Sequence, residues 1–191
     1  GSEMCIRDRP RVGLRMQLSE ILNDLTYYGR GPEENYRDRR TSQFIGEYTT
    51  PIKDLYEPYI RPQENEHRTD IYWCALTTKQ KAGLLFIADR TFELNASNYL
   101  LGSLDSGETI DNGAPRTNET NHRHLTDPQP VKQVDMFIDY RMMGVGGDNS
   151  WGAIAHEPYL IRPGVENAIE YGFSIVPFDK KADYKNLIYQ Y

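Results

Sequence analysis

The stretch from Met143 to Gly152, with the sequence M-G-V-G-G-D-N-S-W-G, holds the residues best suited to bind a ligand. Its closely spaced glycines weaken a strand, and the polar side chains that follow compete for main-chain hydrogen bonds, so the pattern predicts a rigid loop. Trp151 ends that loop. An indole at this position is either a lid folded onto the core or a flat platform for the C–H face of a sugar ring.

The two tryptophans of the chain stand in different surroundings. Trp73 lies within the apolar run I-Y-W-C-A-L, which predicts a core position. Trp151 follows glycines and short polar residues, which favours exposure toward a ligand over burial. We therefore interpret Trp151 as the candidate substrate-binding residue, with Asp148 and Asn149 shaping its loop.

Two further segments are dense in polar groups. They are G-R-G-P-E-E-N-Y-R-D-R, from Gly29 to Arg39, and Y-I-R-P-Q-E-N-E-H-R, from Tyr59 to Arg68. Amides, carboxylates and guanidinium groups in such motifs can bind neighbouring sugar hydroxyls. Both motifs are also typical of turns closed by ion pairs, and we favour this structural interpretation. The first is not a dinucleotide fingerprint, because the third glycine is missing.

Metal and catalytic motifs are weak in this sequence. His122 and His124 would share one face of a strand, but no cysteine or acidic residue accompanies them at a zinc-binding spacing. Glycosidases use two carboxyl groups separated by roughly 5 to 10 Å, and no acidic residue here stands in a context that identifies it as one of them. A nucleophile elbow and a phosphate loop are also missing. We therefore nominate no catalytic residue, no metal ligand and no cofactor in this chain.

Composition narrows the class of protein. The chain has 191 residues, enough for one domain, with 22 basic and 28 acidic residues and a formal charge of -6. Because there is no basic stripe, nucleic acid is not an expected partner. Because no apolar run approaches the ~20 residues that cross a bilayer, we expect a soluble protein without membrane contact. Short apolar runs between 14 tyrosines, 15 glycines and 11 prolines predict an all-β fold.

The pattern of apolar residues predicts the elements and the domain limits. Leucine spacing also allows a helical turn at 19–24, Pro51 is suited to open a helical turn in the loop at 48–59, and 102–130 is predicted to be a long exposed connection. Residues 1–9 are expected to be a tag or other non-native leader, 10–178 the domain and 179–191 a C-terminal tail that is solvated up to its closing L-I-Y-Q-Y. Strands are predicted at 11–18, 24–29, 71–76, 83–88, 131–140 and 170–177.

Five ordered motifs resemble one family. These motifs are the glycine loop (Met143 to Gly152), the two polar segments, N-A-S-N-Y and H-R-H-L. They are similar to the C-terminal, small-chain domain (domain 5) of the large bacterial β-galactosidases of glycoside hydrolase family 2, over about residues 10–177. The resemblance implies a large antiparallel β-sandwich of the galactose-mutarotase-like type, with strand, turn and strand in place of a helix at 18–25. It also implies that Trp151 reaches into the active site and stacks against the sugar, particularly the leaving-group sugar.

The same resemblance implies what other parts of the enzyme supply. The catalytic glutamates and the magnesium and sodium ligands lie on a (β/α)₈ barrel and neighbouring domains, so the chain alone is expected to be inactive. The expected partners are a galactoside and the remaining domains or a large subunit, with self-association as a further option. We expect a sandwich incomplete at its N-terminal side, in a fragment or one subunit of a split enzyme, from a bacterial cytoplasm or periplasm. The alternatives are a stand-alone carbohydrate-binding module and a structural or oligomerisation domain.

Overall fold

The computed structural model describes residues 10–60, 62–104, 110–111, 114–115, 126–146, 148–149, 154–162 and 169–190. Within these residues, antiparallel strands dominate, as the sequence predicts. The strands are β1 (Arg11–Ser19), β2 (Asp24–Gly31), β3 (Phe44–Pro51), β4 (Arg68–Thr77), β5 (Gly83–Ser97), β6 (Ile110–Asp111), β7 (Ala114–Pro115), β8 (Gln133–Met142) and β9 (Phe173–Phe178).

Strand β5 is the centre of the main sheet. The order of the sheet is β1-β8-β5-β4-β2-β3, and β9 joins β5 beside this path. The first half of β5, 83–88, lies between β4 and β9, whereas its second half, 93–97, pairs with β8. β6 and β7 form a separate two-stranded pair. All described pairings are antiparallel, which confirms the all-β, sandwich-like prediction.

One face of the sheet carries the main hydrophobic core. Successive side chains of a strand point to opposite faces, so alternating residues along much of β2, β4, β5 and β8 reach this core. Its largest fully buried side chains include Tyr27, Phe86, Phe92, Met136 and Ile138. Burying several such side chains, at about 1.5–3 kcal/mol each, supplies most of the driving force for forming the sheet.

The opposite face has a second apolar cluster under the C-terminal segment. A short helix, α1 (Tyr184–Leu187), begins after Asp183, whose side chain accepts a hydrogen bond from the amide of Lys185. The Tyr184 ring lies 4.9 Å from the ring of Phe178 and 6.2 Å from that of Trp73. Part of the segment predicted to be a solvated tail therefore covers the sheet, and the core position of Trp73 is confirmed.

The elements agree with the sequence prediction in most places. A strand, turn and strand occupy the region where leucine spacing also allowed a helix, and Pro51 precedes a 3₁₀ turn at Ile52–Asp54. The loop predicted at 48–59 is partly wrong, because β3 extends through Pro51. β5 continues to Ser97, nine residues beyond its predicted end at residue 88. Most of the connection predicted at 102–130 lies outside the described residues.

Gly83 lies at the start of β5, where β4 and β5 pack closely in an antiparallel hairpin. A Cβ atom there would lie 2.0 Å from the main-chain oxygen of Leu76, whereas a Cβ at Gly102 would meet nothing within 4 Å. We predict that Gly83→Ala lowers the free energy of unfolding by about 1–3 kcal/mol, since backbone must move. Urea denaturation measures this loss, with Gly102→Ala as the control. Equal stability of the two variants would contradict the packing described.

Candidate functional site

A cluster of buried polar residues covers part of the face opposite the main core. On β5, Glu93, Asn95 and Ser97 alternate with core residues, and on the neighbouring β8 Asp135 and Asp139 do the same. The segment 64–68, from the second polar motif, packs over these side chains. The motif favoured as a salt-bridged turn therefore forms the cover of a buried polar layer.

His67 is the centre of this layer and is fully buried. Its Nδ1 lies 2.7 Å from Asn95 Oδ1, and its Nε2 lies 3.1 Å from Glu93 Oε2. Burial by itself lowers the pKa of His67, but the Glu93 carboxylate and the Asn95 oxygen raise it above its ordinary value. Both ring nitrogens thus face acceptors, which is the environment that a protonated imidazole requires.

Asp139 and Arg11 form a buried ion pair beside His67. Arg11 Nε lies 3.1 Å from Asp139 Oδ2, and the Arg11 guanidinium carbon lies 4.1 Å from the centre of the Phe137 ring. Burial raises the pKa of Asp139 to about 7, although the charges of Arg11 and His67 act to lower it. At Asp139 the effect of burial therefore outweighs the two neighbouring positive charges.

Glu66 adds a second carboxyl group of this kind. It is 2% exposed, and Ser97 Oγ lies 3.1 Å from its Oε1. Burial raises the pKa of Glu66 to about 8, against the opposing effects of the Ser97 hydrogen bond and the Arg68 charge. The layer thus contains three groups, with His67 and Asp139, whose pKa values are all raised.

The glycine loop begins directly beside this layer and is attached to the first polar motif. The carboxylate of Asp38 accepts hydrogen bonds from the main-chain amides of Val145, at 3.2 Å, and Gly146, at 3.0 Å. Gly146 has a φ of 75°, a conformation that glycine adopts without strain. The two motifs that the sequence analysis singled out separately are therefore in direct contact.

Main-chain hydrogen bonds close the base of the loop. The amide of Gly144 donates to the Tyr159 carbonyl at 2.9 Å, so the two ends of the segment 144–159 lie side by side. Further along, Asp148 Oδ2 lies 2.6 Å from His156 Nε2 on the exposed surface. The Asp148 carboxylate raises the pKa of His156 above its ordinary value.

A pocket of 380 Å³ opens at the foot of the loop. Tyr36 lies beneath it, and its ring stacks on the His67 ring with the two ring centres 5.2 Å apart. The Arg39 guanidinium carbon lies 5.1 Å from the centre of the Tyr36 ring. The Tyr36 hydroxyl is buried without a hydrogen-bond partner among the described residues. Glu34 accepts hydrogen bonds from Arg39 and from the Tyr59 hydroxyl. The lining is Pro10, Tyr36, Arg39, Tyr59, Gln63, Glu64, Met142, Met143, Gly144, Val145 and Gly146.

The sequence-predicted site residues are described only in part. Trp151 lies outside the described residues, as do His122 and His124. Asp148 and Asn149 are described, and both are exposed. Among the described residues, no group of three or more histidine, cysteine or acidic side chains could hold a metal ion.

The ion pairs predicted in the first polar motif are confirmed in part. Arg39 pairs with Glu34, but Arg40 and Arg30 both pair with Asp70, on β4. Asp38 is directed to the glycine loop instead of an arginine. No sequence pattern predicted Asp38 as a loop contact. The buried acids of β5 and β8 were not predicted either, although their alternation with apolar residues is visible in the sequence.

The fold and the site define an all-β domain. Asp38 holds the base of its glycine loop, which lies above a polar pocket lined by two tyrosines. The sequence profile described as "Beta galactosidase small chain" matches residues 2–175. The chain therefore belongs to the β-galactosidase small-chain family. No helix in the described part of the chain has the length and apolar character needed to span a bilayer.

Individual relatives agree with this family. The chain is 33% identical over 152 residues to the β-galactosidase of Priestia megaterium (strain DSM 319 / IMG 1521), and 30% identical over 153 residues to that of Streptococcus thermophilus. Each match covers 80% of this chain. The chain spans only 13% and 14% of the length of those two proteins.

The raised pKa values predict how stability changes with pH. A native state with raised pKa values keeps protons that the unfolded chain has already released, so stability is greatest below the ordinary pKa values and falls as pH rises through the native ones. For Asp139 this loss occurs between about pH 4 and its native pKa of about 7. The slope is about 1.4 kcal/mol per pH unit for each extra proton.

We therefore predict that the chain becomes less stable from pH 5 to pH 8 and that Asp139→Asn, which cannot ionise, flattens this dependence. Urea denaturation at several pH values measures the slope. The matched control is Asp54→Asn at an exposed position, which should keep the slope of the original chain. A slope in Asp139→Asn as steep as that of the control would show that Asp139 is already ionised throughout this range.

Proposed function

We propose that this chain is the part of a glycoside hydrolase family 2 β-galactosidase that supplies an aromatic platform to the galactoside-binding site. Trp151 is that platform, and it contacts the leaving-group sugar. Asp148 and Asn149 shape the loop around it. The observation that carries the proposal is the pinned base of the loop: Asp38 and the Tyr159 carbonyl hold the segment 144–146 in one position, five residues before Trp151.

The pocket at the foot of the loop supports the same proposal. Sugar hydroxyls need donors and acceptors at close spacing, and the pocket offers the Arg39 guanidinium, the Tyr59 hydroxyl and the Glu64 carboxylate. A volume of 380 Å³ lies within the range of small-molecule sites. These groups line the pocket beside the base of the loop that carries Trp151.

Bond cleavage belongs to other parts of the enzyme in this proposal. Two carboxyl groups on a catalytic barrel cleave terminal β-D-galactosides such as lactose, and the magnesium and sodium ions also lie there. The role of Trp151 is to add binding energy and to orient the sugar, which raises the rate only where it favours the transition state over bound substrate. The isolated chain is expected to hydrolyse no galactoside.

A stand-alone carbohydrate-binding module is the alternative that a specific observation favours. Tyr28 and Tyr72 are 39% and 45% exposed, and their ring centres lie 5.5 Å apart on the sheet. Exposed aromatic rings on a sheet can stack on sugars without any chemistry. This surface is separate from the glycine loop, so a variant of Trp151 distinguishes the two proposals.

Lactose titration of the full chain tests the proposal. Because the chain contains two tryptophans, Trp73→Phe leaves Trp151 as the sole tryptophan emitter. We predict that lactose changes the Trp151 emission with an affinity weaker than millimolar, because the rest of the sugar site belongs to other domains. Glycerol, which has no pyranose ring, is the control for an effect of the solvent.

The outcomes separate the two proposals. Because Trp151→Ala removes the emitter itself, lactose binding to the variants is measured by calorimetry. Binding that is millimolar or tighter and lost in Trp151→Ala supports a stand-alone module centred on the loop, whereas binding that survives Trp151→Ala but is lost in Tyr72→Ala supports the tyrosine surface. An emission that does not respond to lactose at any concentration contradicts the proposed role of Trp151.

The exposed edge of the sheet also favours a docking role toward the remaining domains or a second copy. β3 is an edge strand, and its Phe44 and Ile45 are 72% and 40% exposed. We predict concentration-dependent association of the chain in light scattering, reduced by Phe44→Lys. The control is Ile21→Lys, at a 62% exposed position in the turn between β1 and β2. An average mass that both variants change equally would argue against a role for this edge.

A further inference from the structure

We infer that Asp38 is the positioning residue of the glycine loop, and that it fixes the path of the chain toward Trp151. This inference rests on the proposed function, because it assigns to Asp38 the task of placing the proposed sugar platform. Asp38 lies in the first polar motif, more than a hundred residues before the loop that it holds.

The contact between Asp38 and the loop uses both carboxylate oxygens. Oδ1 accepts from the Val145 amide and Oδ2 from the Gly146 amide, at 3.2 and 3.0 Å. A carboxylate that accepts two consecutive main-chain amides fixes the position and the orientation of the peptide between them. Among the described residues, Asp38 is the only side chain with a hydrogen bond to these two amides.

Gly144 is shaped for the same contact. A Cβ atom at this position would lie 2.4 Å from Asp38 Oδ2 and 2.9 Å from Tyr159 Cβ. Only a glycine lets the carboxylate approach while the Gly144 amide still donates to the Tyr159 carbonyl, at 2.9 Å. The loop therefore leaves the sheet between two fixed points, Asp38 on one side and Tyr159 on the other.

The position of Asp38 itself is fixed by the folded motif around it. Tyr36 and Arg39 exchange main-chain hydrogen bonds on either side of Asp38, at 3.1 and 2.8 Å, which closes a tight turn. Tyr36 is 1% exposed and stacks on the buried His67 ring. The turn is thus anchored in the polar layer, and Asp38 transmits that anchorage to the glycine loop.

Amide hydrogen exchange of the full chain, followed residue by residue by NMR, tests the inference. Asp38→Ala should accelerate exchange of the Val145 and Gly146 amides by about tenfold or more, because a hydrogen bond to a charged group is lost. Asp38→Asn keeps one acceptor oxygen and should give a smaller increase. Amides of β5 should be unchanged, and Asp54→Ala is the control for loss of an exposed carboxylate.

A second variant and a second readout keep the test independent of folding and of sugar binding. Gly144→Ala leaves every charge in place but obstructs the carboxylate, so it should accelerate the same two amides. In the Trp73→Phe background, Asp38→Ala should also change how strongly acrylamide quenches the Trp151 emission, because the loop has lost its hydrogen bonds to Asp38.

The outcomes are distinguishable. Unchanged exchange at Val145 and Gly146 in Asp38→Ala overturns the inference, and so does an equal acceleration of these amides and those of β5, which would indicate a role in overall stability alone. If Asp38→Ala does not fold, Asp38→Asn and Gly144→Ala decide in the same way. If exchange changes as expected but the parent chain gives no lactose response, Asp38 positions the loop and the proposed function fails.

Discussion

The carboxylate of Asp38 accepts hydrogen bonds from Val145 and Gly146, which lie 107 and 108 residues further along the chain. Without it, the glycine loop would be held at its base by main-chain hydrogen bonds alone, and glycine-rich backbone has the most conformational freedom to lose. A platform for a sugar is useful only when it is held in place before the sugar arrives, because ordering a loop on binding costs affinity. The loop, the pocket at its foot and the proposed role of Trp151 all depend on this constraint.

The buried polar layer explains why the anchoring turn is itself well placed. His67, Glu93 and Asp139 lie on the side of the sheet that faces away from the main core, where burial of charge is costly unless partners are provided. Their partners come from β1, from β5 and from the cover segment 64–68. Removing Arg11 would leave the buried Asp139 carboxylate without its opposite charge, which is a costly change in a buried layer.

The fold was largely predictable from the sequence, whereas the contacts of the site were not. Alternating apolar residues predicted most strands, but β3 was missed because its side chains are mostly exposed or half-buried and form no apolar run. The second half of β5 was missed because Glu93, Asn95 and Ser97, which alternate with its core residues, are polar. The contact between Asp38 and the loop depends on tertiary geometry, which no local pattern encodes. The glycine loop was predicted from its glycines and short polar residues, and its base, residues 143–146, follows directly after β8.

The central claim is that the Trp151 indole contacts the leaving-group sugar of a galactoside. Nuclear Overhauser effects between bound lactose, whose leaving group is glucose, and the indole protons of the full chain measure that contact directly. We predict effects from the C–H protons of one sugar face to the Trp151 ring and none to the ring of Trp73, which is buried under α1. Effects to Tyr28 or Tyr72 instead, with none to Trp151, would contradict the claim.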